Sequence, residues 1–184
     1  GVIGLGAIGV EIANAAVALG MRVIGFDPTI TVKSAWKMSS VVEEMGTIEE
    51  LLKEADFVTF HVPLIEATQN LLNSERIAGM KDGAVILNFA RNGVVNDDAA
   101  LAGIESGKIN AYVCVFPAEK FKSNDSVITL PHLGASTVVA EENCAMIVAD
   151  QIKDFIENCN IKNSVNFPAV KLPRGGKSRV AITN

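Results

Sequence analysis

The first residues in the chain whose types and spacing imply chemistry are Gly4-Leu5-Gly6-Ala7-Ile8-Gly9, with Asp27 beyond them. A G-x-G-x-x-G loop that opens a helix leaves backbone N–H groups at the helix N-terminus, where the dipole favours a phosphate. An acid roughly twenty residues further on, at the end of the next strand, can accept hydrogen bonds from an adenosine ribose. Gly4 permits the tight turn, Gly6 lets a pyrophosphate approach the backbone, and Gly9 lets helix and strand pack closely. Taken singly, the loop also fits a plain strand–turn–helix, and Asp27 a turn residue before Pro28. Together they predict a dinucleotide site, and a carboxylate at Asp27 would repel a 2′-phosphate, so NAD is expected rather than NADP. Two other side chains carry reactivity. His132 follows the apolar run Val127–Leu130; an imidazole titrating near neutral pH can exchange a proton with a substrate hydroxyl, or it can cap the helix that follows. Arg91 ends the run Ala84–Ala90; its guanidinium can hold a carboxylate bidentately, or face solvent as most long charged side chains do.

These side chains need a scaffold, and the hydrophobic pattern supplies one. Short apolar runs recur at Val2-Ile3, Arg22–Phe26, Phe57–Val62, Ala84–Ala90, Ala111–Phe116 and Val127–Leu130. Most are apolar on both faces and alternate with helical patterns, which predicts an α/β fold with a doubly wound parallel sheet covered on both sides. Thr47-Ile48-Glu49-Glu50 reads as a capping box before Leu51-Leu52, and Asn96 with Asp97 and Asp98 reads as another helix start, closed by Gly107. Cys144, Val148, Ile152 and Phe155 recur at spacings of three and four, marking an amphipathic helix from about Thr137 to Asn158 whose apolar face must pack on something. Trp36, in Val32-Lys33-Ser34-Ala35-Trp36, reads as a packing residue on a short helix.

The 184 residues hold 16 Lys and Arg against 21 Asp and Glu, a net charge of −5, so binding to a nucleic-acid backbone is disfavoured. The longest apolar stretch, Gly1 to Val10, is too short to cross a bilayer, so no membrane partner is expected. Cys114, Cys144 and Cys159 are odd in number and widely spaced, arguing against a disulfide framework and for the cytoplasm; the two histidines, His61 and His132, form no zinc motif, and no metal is expected.

Five segments together resemble the D-isomer-specific 2-hydroxyacid dehydrogenases: Gly1–Gly9, Gly25-Phe26-Asp27-Pro28, His61-Val62-Pro63-Leu64, Asn88-Phe89-Ala90-Arg91, and Pro131-His132-Leu133-Gly134-Ala135-Ser136-Thr137. The similarity spans nearly the whole chain, is most specific around His132, and is greatest to members that oxidise D-3-phosphoglycerate to 3-phosphohydroxypyruvate in serine synthesis. It implies a Rossmann-type NAD-binding domain, hydride transfer between NAD and a small 2-hydroxy acid, and a homodimer or higher homo-oligomer. The catalytic residues it implies are His132 as acid–base, Arg91 on the substrate carboxylate, and Glu119 as the acidic partner that orients the histidine. For the cofactor it implies Gly4, Gly6, Ala7, Ile8 and Gly9 in the first loop, with Asp27 and Pro28. Further along come His61, Val62, Pro63 and Thr68, then Phe89, Ala90 and Arg91, and finally Cys114, His132 and Gly134. His61, taken alone, reads as a packed histidine at a strand end.

The chain departs from the family pattern where an aspartate is usual, carrying Cys114 and Val115 in the two registers that members use. Lys120 stands where the common form has proline, which predicts a less restrained Glu119 loop, and Asn92 stands where many members have glycine. These departures keep open a second class, a non-catalytic NAD-binding module of corepressor type, beside other D-2-hydroxyacid dehydrogenases and 2-keto-acid reductases. The domain reading is 1–136 for dinucleotide binding, 137–168 for the long helix and a return segment, and 169–184 for a linker and the start of an ACT-like regulatory domain. Pro168, Pro173, Gly175 and Gly176 punctuate that linker, and Arg179–Ile182 reads as a strand cut short. The short first strand and the cut last one predict a fragment of a longer protein, with the substrate domain largely outside the chain.

Overall fold

Seven strands, all parallel, form one sheet in the order β3-β2-β1-β4-β5-β6-β7 in the computed structural model. Residues 1–116, 118–134, 136–173 and 175–176 are described. In chain order the elements are β1 (Val2–Ile3), α1 (Ala7–Ala18), β2 (Ile24–Phe26), α2 (Val32–Ala35), β3 (Glu43–Glu44), α3 (Ile48–Glu54), β4 (Phe57–Phe60), α4 (Ser74–Ala78), β5 (Ala84–Asn88), α5 (Asp97–Glu105), β6 (Ile109–Cys114), β7 (Val127–Thr129) and α6 (Val138–Asn158). Two units emerge, Gly1–His132 and the residues from Leu133 on. The strand order reverses between β1 and β4, so a crevice opens outside their carboxyl ends, where doubly wound sheets bind ligands. The expected fold class holds.

The sheet of the first unit separates two cores. On one side Leu51, Leu52, Val58, Phe60, Leu72, Ile86 and Tyr112 are among the buried members of a large cluster; on the other Val2, Leu5, Val10, Ala13 and Val23 form a smaller one with α1. The expectation of helices over both faces is met unevenly. Along β5, Ala84, Ile86 and Asn88 are buried while Val85 and Leu87 are half-buried, and Phe57 and Ile128 are exposed. The apolar runs also shorten where they become strands. Arg22 and Val23 precede β2, because the ladder begins at Ile24; Val115 and Phe116 follow β6, which starts earlier, at Ile109.

Helix starts follow the local chemistry. Thr47 accepts from the Glu50 N–H at 3.1 Å while Glu50 returns a carboxylate to the Thr47 N–H at 3.2 Å, the capping box expected there. Asn96 caps α5 through the Ala99 N–H, and Thr137 caps α6 through the Ala140 N–H. Three features lie outside the sequence expectations: the acidic edge strand β3, the short α4 capped by Asn73, and the exposure of Trp36. Trp36 is 85% exposed, correcting its assignment to packing; α2 is four residues long, too short to present a buried face.

In the second unit α6 spans 21 residues and ends at Cys159, whose φ of 52° is left-handed. Asp154 accepts from the side chains of Asn158 and Asn160 at 2.9 Å each, which ties the helix end to the following segment. Cys144, Val148, Ile152 and Phe155, the apolar stripe expected to pack, are all exposed. Ile161 and Val170 then pair as an antiparallel bridge. The expected strand at Arg179–Ile182, together with Pro117, Ala135 and Arg174, lies outside the described residues.

Candidate active site

Because all seven strands run the same way, the segments that follow β1, β2, β4, β5, β6 and β7 emerge at one edge of the first unit, and they carry most of the candidate residues. The loop after β1 is fixed by two close approaches. Gly4 has φ +90°, and a Cβ there would stand 2.7 Å from the His61 carbonyl oxygen; a Cβ on Gly9 would stand 1.8 Å from the Gly4 carbonyl oxygen. Only glycine fits either position. At Gly6 the same construction meets nothing within 4 Å, so space is open in front of the helix start.

α1 differs from the other helices among the described residues. Thr31, Thr47, Asn73, Asn96 and Thr137 each cap a helix with a side chain, whereas α1 starts at Gly6 with no side-chain cap and no acid in its first turn. Its first N–H groups therefore lack the anionic or polar partner the others have, and the dipole leaves them suited to phosphate. Asp27 closes the arrangement from β2. Its Oδ2 accepts the Leu5 N–H at 2.7 Å and its Oδ1 accepts the Thr29 N–H at 2.9 Å, which fixes the carboxylate beside the glycine loop. Oδ1 also accepts the Thr29 hydroxyl at 3.2 Å, so Oδ2 is the oxygen that keeps a further lone pair for a ribose hydroxyl. The residues present fit a dinucleotide.

A cavity of about 430 Å³ lies next to this loop, lined among others by Ile8, Thr59, His61, Pro63, Phe89 and Arg91. His61 is half-buried, and its Nε2 lies 3.0 Å from Thr59 Oγ1; burial holds the imidazole below its ordinary pKa. Thr59, buried in an apolar strand, is a site residue that sequence reasoning missed; its one signal is a hydroxyl two residues before a histidine, on the same strand face. Arg91 stands on the cavity wall with Nη1 donating to the Ala90 carbonyl at 2.7 Å. Thr68 turns back on its own loop, donating to the Pro63 carbonyl and accepting the Ile65 N–H at 2.9 Å.

After β6 and β7 the picture is more open. His132 is exposed and stacks on Phe116, ring centroids 5.0 Å apart at 30°. Glu119 sits on a 3₁₀ turn, Glu119–Phe121, 85% exposed at its side chain and paired with Lys122 at 2.6 Å. The expected pairing of Glu119 with His132 is therefore not the contact made here. Nor is the loop loosely held, as Lys120 in place of proline predicted. Lys120 reaches Asp98 on α5 at 2.7 Å, and Phe121 is buried edge-on against Tyr112 at 5.5 Å. Cys114, expected at the cofactor, is fully buried with Sγ 3.7 Å from the Phe116 carbonyl, so its side chain is not presented to a ligand. Its strand position faces the core, and burial pushes its thiol pKa up. Val115, the other register for the absent aspartate, is buried too. Gly134 belongs to the second unit.

A profile of the family described as D-isomer specific 2-hydroxyacid dehydrogenase, NAD binding domain, matches residues 1–138. The chain belongs to this family. Its NAD-binding domain accounts for the uncapped glycine loop and the adjacent Asp27. A D-3-phosphoglycerate dehydrogenase of Methanocaldococcus jannaschii is 42% identical over 183 residues, covering 96% of this chain and 34% of that protein. A hydroxypyruvate reductase of Thermotoga maritima is 38% identical, covering 83% of this chain and 51% of that protein. The D-lactate dehydrogenase from Aquifex aeolicus, solved with NAD and lactic acid, superposes with a TM-score of 0.69 at 27% identity, over 84% of this chain and 52% of that one. The chain thus spans between about a third and about half of the length of these dehydrogenases. Among the described residues no helix is long and apolar enough to cross a membrane, and no cluster of His, Cys, Asp and Glu has the makings of a metal site.

Proposed function

We propose that the protein oxidises a D-2-hydroxy acid to the 2-oxo acid with NAD, and that the acid is D-3-phosphoglycerate. The observation that carries the reading is the cavity wall: Arg91 faces a hollow beside the uncapped Gly4–Gly9 loop, so a substrate carboxylate and a dinucleotide have adjoining places. NAD, when bound, supplies the hydride acceptor. Arg91 binds the carboxylate through two N–H donors and orients the hydroxyl-bearing carbon. His132 accepts the hydroxyl proton as the hydride leaves that carbon, and its stacking on Phe116 sets the plane of the ring. Glu119 serves as its acidic partner after exchanging Lys122 for the imidazole. Asp27 accepts the adenosine ribose hydroxyls and excludes a 2′-phosphate.

The choice of D-3-phosphoglycerate is supported by the relatives of that name, and a hydroxypyruvate reductase among the relatives marks a competing substrate class. The domain division follows the same reading: 1–136 for the dinucleotide, 137–168 for the long helix and return segment, and 169–184 for a linker and the start of a regulatory domain. A cytoplasmic homo-oligomer is part of this proposal. One observation favours a second reading, a cofactor-binding module without turnover: Glu119 is committed to Lys122, and the family's aspartate is absent at both Cys114 and Val115.

The two separate in one set of measurements on the protein. Calorimetry with NAD and NADP is expected to show preference for NAD, abolished or strongly reduced by Asp27→Ala; equal affinity for the two cofactors overturns the role of Asp27. Turnover of D-3-phosphoglycerate is expected to fall roughly 10²–10⁴-fold in His132→Ala with NAD affinity unchanged, the usual share of general acid–base catalysis. NAD binding with no turnover of D-3-phosphoglycerate or hydroxypyruvate would establish the binding module instead.

A further inference from the structure

β5 reads Ala-Val-Ile-Leu-Asn, four apolar residues and then an amide, and the amide is buried: Asn88 is 1% exposed. Sequestering a side-chain amide from water is costly unless its donors and acceptor find partners. Those of Asn88 go to the turn that follows. Oδ1 accepts the Ala90 N–H at 3.2 Å, and Nδ2 donates to the Arg91 carbonyl at 3.1 Å. One side chain thus bridges the turn at two points, on the residue before Arg91 and on Arg91 itself. From below, the phenol oxygen of Tyr112 on β6 stands 3.5 Å from Nδ2, and Tyr112 is itself fixed by the edge of Phe121. The Arg91 guanidinium in turn donates to the Ala90 carbonyl at 2.7 Å, so its hold is on the same turn that Asn88 bridges.

We propose that Asn88 is a positioning residue: its buried amide clamps the backbone on either side of the Ala90–Arg91 bond and so aims the Arg91 guanidinium into the cavity for the substrate carboxylate. The inference rests on the carboxylate-binding reading of Arg91. Its physical reason is that bidentate recognition needs a guanidinium whose base does not move, and a misaimed fork loses one of two hydrogen bonds. A residue present only to fill the core would behave differently, because an apolar residue of similar volume would replace it at little cost. Aspartate separates the two functions of the amide: Asn88→Asp keeps an acceptor for the Ala90 N–H and loses the donor to the Arg91 carbonyl.

The test measures oxalate, an unreactive analogue of the substrate's carboxylate end, binding to the protein–NADH complex by calorimetry, with NADH affinity measured alongside. Asn88→Ala and Asn88→Leu are each expected to weaken oxalate by about tenfold, the worth of one hydrogen bond to a charged ligand, with NADH affinity within about twofold of the parent. Asn88→Asp is expected to do the same. On an Arg91→Lys background, itself weakened, adding Asn88→Ala is expected to cost less than about a further twofold, because residues acting through one group are not additive. Full additivity, an unchanged oxalate affinity, or an equal loss for oxalate and NADH overturns the proposal. So does failure of all three Asn88 variants to fold, which would make the amide a structural group alone. Oxalate that does not bind the parent, or binds as well after Arg91→Ala, refutes the carboxylate reading and the inference with it. Oxalate that binds in an Arg91-dependent way but ignores Asn88 refutes the inference alone.

Discussion

His61 shows how a residue's environment, rather than its type, sets its behaviour. Its imidazole is half-buried at the end of β4 and its pKa is lowered by desolvation, while Thr59 holds Nε2. The unfolded chain therefore takes up a proton at this site at a higher pH than the folded one does. His61 contributes its full share of stability above the ordinary histidine range, and that share is lost as pH falls through the range, from about 6.5 downwards. Urea unfolding at pH 7.5 and 5.5 should show a drop in midpoint that shrinks in His61→Gln; an identical drop in the variant would place the acid sensitivity elsewhere. Arg91 and His132, by contrast, sit exposed on turns, and what they do depends on what the turns are tied to.

At the scale of the element, the closest approach of α1 to the loop after β1 is at Gly9. A methyl group on Gly9 would lie 1.8 Å from a backbone oxygen, and neither Gly9 nor Gly4 has a flexible end to give way. Gly9→Ala is accordingly expected to push α1 off β1 and cost roughly 1–3 kcal/mol, as overpacking does. It should also weaken NAD, since the helix start moves with the helix. Denaturant midpoints and NAD titration check this; a variant as stable as the parent and equally avid for NAD would show that the contact relaxes freely. Gly6→Ala, at a position with open space, is the informative contrast, since it should spare stability and weaken NAD alone.

Across the first unit, the loops at the site edge are stitched to the core beneath them. Phe121 is the clearest case: it is 4% exposed, packs on Tyr112 from the large core, and lies on the same 3₁₀ turn as Glu119. Phe121→Ala is expected to cost about 3–5 kcal/mol, the transfer and cavity terms of a buried aromatic. A denaturant midpoint lowered at unchanged m-value checks it, and a loss below about 1 kcal/mol would mean the turn packs less tightly than the ring contact implies. The Lys120–Asp98 pair, exposed at both ends, is worth little in stability and matters for where the turn lies.

The sequence by itself determined the class of fold, the dinucleotide loop and its acid, and the helix starts at Thr47, Asn96 and Thr137. Each of these is encoded in a few neighbouring residues: glycines at fixed spacing, a capping residue with its acid, or an apolar run of strand length. The resemblance around His132 likewise needed only a contiguous stretch. Tertiary structure alone decided the rest. That Trp36 is exposed, that β3 pairs at the edge, and that one face of β5 is better covered than the other depend on which elements lie alongside, and no local pattern records that. The partner of Lys120 was invisible for the same reason, since Asp98 is 22 residues away in sequence, whereas Lys122, the partner of Glu119, is a near neighbour on the same turn. Asn88 stood in plain view within Asn88-Phe89-Ala90-Arg91, and its bonds to Ala90 and Arg91 are local, yet its burial and its contact with Tyr112 exist only once β5 and β6 are paired.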